Sequence, residues 1–273
     1  MIQERIARLP NFVRRFGPLE GMRLGLGLTD AGQEVALEPR PHAVPGYAQP
    51  IHLRDNRSDY SIFWQTMVRT QYDLSKFPQM AEIERRAQAM IAAGQVPVVV
   101  DGGANIGLSL RAFARDYPYA RIVAVEPDVD NMRVLEANAA ALGQGHVPVL
   151  GGLASRSGHC RVVSRERGSA GLQTEYCAAD AEDAVRALTV NECVAMVPQG
   201  APWIVKLDIE GAQDELFSAN TDWVAKADLI ILELDDWAFP WSGSSVNFFR
   251  ALAEHRFDYM IDQELILAFR HTD

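Results

Sequence analysis

The stretch VVVDGGANIGLS, Val98–Ser109, decides how this chain folds. A run of valines ends at an acid, Asp101, and passes directly into a cluster of glycines. The valine run favours a strand buried on both faces, and the glycines favour a tight turn, because glycine adopts positive φ at little cost. We therefore expect a strand over Val96–Asp101, then a turn, then a helix over Ile106–Asp116.

The rest of the chain repeats this alternation of strand and helix. Apolar runs predict four further main strands, at Arg121–Glu126, Val147–Leu153, Trp203–Asp208 and Leu229–Leu234. Helical spacing of apolar residues predicts helices at Gln79–Ala93, Val129–Leu142, Ala212–Ser218 and Ser245–His255. Buried strands separated by helices are typical of a mostly parallel sheet with helices on both faces. The sequence therefore predicts an α/β fold of the Rossmann-like kind.

Three segments interrupt or extend this pattern. Within residues 158–194, HCRVVS, LQTEYC and ALTVNECV predict short antiparallel strands inserted before the fourth main strand. The tail FDYMIDQELILAFR predicts a terminal antiparallel pair. Upstream, IHLRDNRSDYSIFWQTMVRTQYD predicts a short strand ending near Arg54 and a helix capped by Ser58 or Asp59. We divide the chain into an N-terminal extension with a cap or lid, residues 1–78, and a Rossmann-like domain, residues 79–273.

The overall charge and composition limit the choice of partner and compartment. The chain of 273 residues has a formal net charge of −10 at pH 7, which disfavours binding to nucleic acid. Its three cysteines, Cys160, Cys177 and Cys193, are too scattered for a zinc site or a disulfide framework and indicate a reducing compartment. No apolar run is long enough to span a membrane, so we expect a cytoplasmic protein without stable membrane insertion. The basic start MIQERIARLPNFVRRFG either packs on its own domain or touches a membrane surface, and the oligomeric state stays open.

The turn after the first strand is the expected ligand site, because doubly wound sheets bind ligands beyond the carboxyl ends of their strands. A dinucleotide fold would need a second glycine where this chain has Ala104, and a carboxylate at Asp101 suits a cationic ligand better than a diphosphate. Glu126, at the end of the next strand, can accept hydrogen bonds from both ribose hydroxyls. These features predict S-adenosylmethionine, a nucleoside with a cationic amino-acid tail.

The candidate cofactor-binding residues follow from this arrangement. They are Asp101, Gly102, Gly103, Ala104, Asn105, Gly107, Glu126, Pro127, Asp128 and Ala154. Asp128 has an alternative role, since an aspartate at that place also suits the N-cap of the helix that follows. A nicotinamide-dependent oxidoreductase, which shares the strand and helix pattern and Glu126, is the alternative interpretation of the site.

Four segments resemble the FkbM-type family of S-adenosylmethionine-dependent methyltransferases. They are VVVDGGANIGLSL, AVEPDVDNMRVLEANAA, IVKLDIEGAQDEL and IILEL, in that order over about Val96–Leu234. The resemblance implies a Rossmann-like class I methyltransferase fold with a mostly parallel seven-stranded sheet, an N-terminal helical cap and a small β insertion. It also implies O-methylation of a hydroxyl on a small-molecule acceptor, a sugar or a natural product. The chain departs from the family at Asn191, where members often carry an aspartate.

Acids also follow the fourth and fifth main strands. Asp208, Glu210 and Glu233 lie where an acceptor would meet the cofactor, and a carboxylate there could take the proton of the acceptor. Asp208 is the first candidate for the base and Glu233 the second, and the two could also share a Mg²⁺ ion, so metal dependence stays open. Lys206 is expected to neutralise Asp208 as a buried pair. If these acids have no catalytic role, the chain would be a non-catalytic S-adenosylmethionine-binding protein.

Aromatic and upstream polar residues are candidates for acceptor binding. Trp237 and Trp241, in WAFPW, either stack on a sugar ring or pack in the core. Arg54, Asp59 and Tyr72 either fold over the cofactor as a lid that excludes water, or form a helix cap and a surface ion pair.

Overall fold

A computed structural model describes residues 2–28, 38–143, 145–164 and 173–272. The N-terminal part consists of α1 (Ile2–Phe16), α2 (Pro18–Gly27), β1 (Arg40–His42), β2 (Ile51–Leu53), α3 (Arg57–Phe63), a π-helical turn (Trp64–Val68) and α4 (Met80–Ala92). The central part consists of β3 (Val96–Gly102), α5 (Leu108–Asp116), β4 (Arg121–Glu126), α6 (Val129–Ala140) and β5 (Val147–Leu153). The remainder consists of β6 (Gly158–Ser164), β7 (Gln173–Cys177), β8 (Val185–Leu188), α7 (Val190–Ala195), β9 (Gly200–Leu207), α8 (Gln213–Leu216), β10 (Leu229–Glu233), α9 (Val246–Ala253), β11 (Phe257–Asp262) and β12 (Leu265–Arg270).

The main sheet has ten strands in the spatial order β11-β12-β10-β9-β3-β4-β5-β8-β6-β7. The five strands from β10 to β5 run parallel, and β12 pairs antiparallel with both β10 and β11. Seven strands were expected, and the three additional ones, β6, β7 and β8, belong to the expected insertion. This insertion joins the sheet because β8 pairs with β5 along Gly151–Leu153, covering backbone groups that an edge strand would leave unpaired.

Several predicted elements are confirmed. The strands β4 and β5 begin and end at the predicted residues, and the tail forms the predicted antiparallel pair, β11 with β12. The strand β3 ends one residue later than predicted, at Gly102, and β9 begins earlier, at Gly200. The parallel register places Gly102 beside both Val125 and Leu207, so the ends of β3, β4 and β9 meet at one edge of the sheet.

The segment ALTVNECV is only partly a strand, which corrects the prediction. The strand β8 ends at Leu188, and α7 starts after Thr189 because that residue forms a capping box with Glu192. The Thr189 hydroxyl accepts from the Glu192 backbone N–H at 3.2 Å, and the Glu192 carboxylate accepts from the Thr189 N–H at 2.9 Å. Asn191 therefore lies in the first turn of a helix, where its amide donates to Asp222 at 2.8 Å.

The N-terminal extension packs on the central part of the fold through its own apolar cluster. Phe12 of α1 is fully buried, and its ring stacks on Phe63 with 6.2 Å between centroids. The same cluster includes Ile106 from the glycine turn and Val134 from α6. Among the helices of the described ranges, none is long and apolar enough to cross a bilayer.

The helix α3 begins two or three residues earlier than a cap at Ser58 or Asp59 predicts, which corrects that prediction. Its N-cap is Asn56, whose side-chain oxygen accepts from the Asp59 backbone N–H at 2.8 Å. Asparagine satisfies a free N–H at the start of a helix as well as serine or aspartate does. The Asp59 side chain is thereby released for a different contact, described below.

Candidate functional site

A cleft opens at the carboxyl ends of the parallel strands β3, β4, β5 and β9. It encloses about 570 Å³ of space, part of it continuous with solvent. The candidates from the sequence that line it are Gly103, Asn105, Glu126, Pro127, Asp208 and Glu210. The structure therefore brings together the glycine turn, the acid after the second main strand and the LDIEG segment.

The glycine turn is pressed against the end of β9. Gly103 has φ +66°, and a Cβ atom added there would lie 1.8 Å from the carbonyl oxygen of Asp208. The Asp208 backbone N–H donates to the Gly102 carbonyl at 3.0 Å. A side chain at position 103 would therefore force the two segments apart, so glycine is required for both its positive φ and its small size.

The Glu126 side chain, at the edge of the cleft, is fixed by hydrogen bonds to both of its carboxylate oxygens. It is 3% exposed, and its Oε2 accepts from the Asn105 backbone N–H at 2.9 Å. Its Oε1 accepts from the Asp128 backbone N–H at 3.0 Å and from the Asn131 side-chain amide at 3.3 Å. Burial raises the pKa of Glu126 to about 7, even though these hydrogen bonds act in the opposite direction. The carboxylate is thus fixed in orientation while it still borders the cleft.

Arg54 and Asp59 form a buried ion pair that connects to Glu126. The Arg54 Nη2 donates to Asp59 Oδ1 at 2.7 Å and to Asn131 Oδ1 at 2.7 Å, and Asn131 donates to Glu126. Asp59 is fully buried and Arg54 is 7% exposed, so the pair is not on the surface. These two residues therefore lie behind the cleft, where they support Glu126, and not over its opening.

Asp101 lies beneath the glycine turn. It is fully buried, its Oδ1 lies 3.1 Å from the Lys206 Nζ, and its Oδ2 accepts from the Ser109 hydroxyl at 2.6 Å. Lys206 lies nearer to Asp101 than to Asp208, whose carboxylate is 3.7 Å away, and it also donates to the Gly103 carbonyl at 2.8 Å. Direct contact between Asp101 and a cationic ligand stays a prediction.

The electrostatic state of Lys206 is set by opposing effects. Burial alone would lower its pKa, but Asp101, Tyr72 and Asp208 together raise the pKa above the usual value for lysine. The ammonium therefore stays charged and compensates the buried Asp101 carboxylate. The Tyr72 ring lies 5.7 Å from the Lys206 Nζ, and burial raises the pKa of Tyr72. Tyr72 thus lies next to the acids of the cleft, on the side of the N-terminal extension.

Further acids surround Asp208. Burial, followed by the charge of Asp208, raises the pKa of Glu233 to about 7. Burial likewise raises the pKa of Asp235 to about 6, although its carboxylate accepts from the Gly211 N–H at 2.8 Å. Carboxyl groups with pKa values near neutrality suit proton transfer. In the part of the chain that the structure describes, no three His, Cys, Asp or Glu side chains are grouped to hold a metal ion.

The two tryptophans after β10 are exposed, which rules out the core-packing alternative. Trp237 is 66% exposed, and Trp241 has its whole side chain in solvent. Trp241 also has φ +65°, in the left-handed region that favours glycine. The loop between β10 and α9 therefore presents two large aromatic surfaces without burying them.

The remaining candidates have structural contacts. Asp128 caps α6, because its Oδ1 accepts from the N–H groups of Asp130 and Asn131 at 2.9 Å each, which confirms the capping alternative. Gly107 has φ +81° at the N-cap of α5, and the Ala104 N–H donates to the Val125 carbonyl at 3.0 Å. Ala154 directly follows Leu153, a residue of the cleft wall, and its backbone N–H donates to the Leu188 carbonyl at 2.9 Å.

Sequence reasoning missed part of the cleft wall. The missed lining residues include Ile62, Gly151, Gly152, Leu153 and Thr174. The glycine pair in VLGGLA, at the end of the third main strand, was a usable signal, because glycine at a strand end allows a ligand to approach the backbone. Thr174 and Ile62 come from the insertion and the N-terminal extension, and no local pattern indicates that either segment reaches the cleft.

Comparison with known proteins gives distant structural similarity only. The chain matches no protein-family model and no curated protein. Among solved structures, a fibrillarin/Nop5p complex has 16% identity and a TM-score of 0.38, covering 68% of this chain and 81% of that one. Precorrin-6y C5,15-methyltransferase from Geobacter metallireducens has 12% identity and a TM-score of 0.35, covering 69% and 88%. Monomeric WbdD has 14% identity and a TM-score of 0.36, covering 76% of this chain but only 44% of that one. The resemblance to the FkbM-type family stays a prediction.

Proposed function

We propose that the chain is an S-adenosylmethionine-dependent methyltransferase that acts on a hydroxyl of a sugar or natural-product acceptor. The observation that carries the proposal is Glu126, a buried carboxylate held by the Asn105 and Asp128 backbone at the edge of the cleft. The Oε2 atom of Glu126 has a further lone pair, so it can accept from one ribose hydroxyl. The Oε1 atom already accepts from the Asp128 N–H and the Asn131 amide, so a hydrogen bond from the second hydroxyl would replace the longer one, from Asn131.

The charge of the cleft favours a cationic ligand over a dinucleotide. Glu126, Asp208 and Glu210 line the cleft, and Asp101 lies below it, against the buried ammonium of Lys206. A diphosphate would meet mostly negative charge there, whereas a sulfonium or an ammonium group would be attracted.

The acids beside the cleft supply the proton acceptor for the reaction. S-adenosylmethionine, when bound, supplies an electrophilic methyl group. The new O–CH₃ bond would form as the S–CH₃ bond breaks, with S-adenosylhomocysteine as the leaving group. The hydroxyl proton of the acceptor would pass to a carboxylate, for which Asp208 and Glu233 are the candidates and Glu210 a neighbour. Trp237 and Trp241 offer surfaces on which the ring of a sugar acceptor could stack.

The test is calorimetric titration with S-adenosylhomocysteine and, in parallel, NAD. We expect micromolar binding of S-adenosylhomocysteine that Glu126→Ala weakens at least about tenfold, or about 1.4 kcal/mol. Glu136→Ala removes an exposed glutamate from α6, the helix that follows Glu126, and is the matched control that should leave the affinity unchanged. A response to NAD without one to S-adenosylhomocysteine would favour the oxidoreductase. Two results together would favour the non-catalytic alternative. Asp208→Ala would bind S-adenosylhomocysteine normally, and wild type would methylate none of the screened glycosides.

A further inference from the structure

Three arginines converge on a second depression outside the cleft. Arg14 and Arg15 of α1 and Arg69, which follows the π-helical turn, line it together with Val68 and Gln263. The depression, called the arginine pocket below, encloses about 790 Å³ of space that includes open solvent. No Asp or Glu among the described residues lines it.

The three guanidinium groups lack carboxylate partners within the described ranges. Arg14 donates only to the Asn11 side chain, at 3.4 Å, and Arg15 donates to the Met67 carbonyl at 3.1 Å. Some other surface arginines are paired with acids, as in Arg85 with Glu82 and Arg161 with Glu175. In a chain with a net charge of −10, this convergence is a local reversal of sign. Guanidinium groups bind phosphate through paired N–H donors.

Two of the chain segments that line the arginine pocket lead, within three residues, to a residue beside the acids of the cleft. Arg69 precedes Tyr72 by three residues, a separation of at most about 11 Å between Cα atoms. In the other segment, Gln263 precedes Leu265 by two residues, and Leu265 pairs with Glu233 across β10 and β12. The Gln71 amide donates to the Glu264 carboxylate at 3.2 Å and so connects the two segments.

We propose that the arginine pocket binds the phosphate or diphosphate group of a small, soluble methyl acceptor, whose hydroxyl then reaches Asp208 and Glu233. This inference rests on the proposed function. Two of the segments that line the arginine pocket lead to Tyr72 and to Leu265, the strand partner of Glu233, and the opposite signs of charge would orient the acceptor. The acceptor class is thereby narrowed from hydroxylated compounds in general to phosphorylated ones.

A lipid headgroup carries the same phosphate chemistry, and α2 exposes Leu19, Met22 and Leu26 nearby in the sequence. The observations favour a soluble acceptor because two of the segments that line the arginine pocket lead to Tyr72 and to Leu265, the strand partner of Glu233. An anionic membrane is therefore the outcome against which the proposal is tested.

The experiment is titration of the intact chain with inorganic pyrophosphate by calorimetry. We expect Arg69→Gln to weaken binding about tenfold and Arg14→Gln to weaken it as well. Arg250→Gln is the matched control, because Arg250 is also exposed and also donates to an asparagine three residues before it. Equal thermal stability of the three variants, expected from their exposure, shows that each is folded.

Three results would overturn the inference. The first is no measurable heat with pyrophosphate at about 10 mM, and the second is equal weakening in Arg250→Gln. The third is sedimentation with phosphatidylglycerol vesicles that Arg69→Gln abolishes while pyrophosphate fails to bind. Pyrophosphate binding does not need the cofactor. Failure of pyrophosphate to bind would therefore contradict this inference, whereas failure of S-adenosylhomocysteine to bind would contradict the proposed function.

Discussion

Arg54 donates to the side-chain oxygen of Asn131 at 2.7 Å, across 77 positions of the chain. Asn131 in turn donates to Glu126, so an arginine of the N-terminal extension is connected to the carboxylate that we assign to the ribose. The same guanidinium also holds the buried Asp59. Arg54 is thus a positioning residue, and the extension contributes to the cleft without lying over it.

Replacing Arg54 by lysine should separate these two contacts. A lysine keeps a positive charge near Asp59, but a single ammonium cannot reproduce the planar donors that reach both Asp59 and Asn131. We expect Arg54→Lys to weaken S-adenosylhomocysteine binding about fivefold, or about 1 kcal/mol, with a smaller change in melting temperature. Arg40→Lys, in an exposed ion pair with Asp55, is the control and should change neither. Normal affinity in Arg54→Lys would show that Glu126 does not depend on this connection.

The affinity for S-adenosylhomocysteine should depend on pH through Glu126. Its pKa is raised to about 7 by burial, so in the free protein the carboxyl is increasingly protonated below neutrality. Accepting hydrogen bonds from ribose favours the ionised form, so binding lowers the pKa and releases a proton. Affinity should therefore rise with pH up to about 7 and then level off, by at most tenfold per pH unit. Titrations between pH 5.5 and 8.5 should show this slope in wild type and lose it in Glu126→Gln.

The sequence predicted elements whose signals are local. The bounds of β4 and β5 follow from uninterrupted apolar runs, and the cleft appears where glycines follow β3. The capping box at Thr189 and Glu192 is also visible in the sequence, as a threonine followed three residues later by a glutamate. The apolar residues of ALTVNECV fit either a strand or a helix, and the cap decides between them.

The contacts that define the chemistry of the cleft were not predictable in the same way. Asp101 pairs with Lys206, and both were singled out, but the partners expected for them were different. Such pairs depend on which strands become neighbours, here β3 and β9, which are distant in sequence. The exposure of Trp237 and Trp241 depends on how the loop after β10 leaves the sheet, and no periodicity encodes that.

Glu233 should destabilise the folded chain at neutral pH. Burial and the charge of Asp208 raise its pKa to about 7, so the folded state binds this proton more tightly than the unfolded state does. The sign follows: the penalty is absent below about pH 4, grows as pH rises from about 4.5 to 7 and is complete above it. Glu233→Gln should therefore melt at a higher temperature than wild type at pH 8 and at the same temperature at pH 4. The exposed Glu254→Gln should follow wild type at both values.

Breaking the buried ion pair of Lys206 and Asp101 should lower the free energy of unfolding, and removing the second charge as well should restore part of that loss. Lys206→Met leaves the fully buried Asp101 carboxylate without its cation, which typically lowers the free energy of unfolding by about 3–5 kcal/mol. Adding Asp101→Asn removes the uncompensated charge and keeps an acceptor for the Ser109 hydroxyl. Urea denaturation should therefore show the double variant to be more stable than Lys206→Met. If the two losses simply add, the residues are not energetically coupled.

Gly103 and Gly94 allow steric contact to be separated from backbone strain. Both have positive φ, but an added Cβ meets open space at Gly94, whereas at Gly103 it would lie 1.8 Å from the Asp208 carbonyl oxygen. Gly94→Ala therefore measures the cost of φ alone, about 1 kcal/mol in free energy of unfolding. Gly103→Ala should cost clearly more and also abolish S-adenosylhomocysteine binding, because the turn and the end of β9 must separate. Equal losses in the two variants would mean that the turn can move away from Asp208, and that the close contact does not shape the cleft.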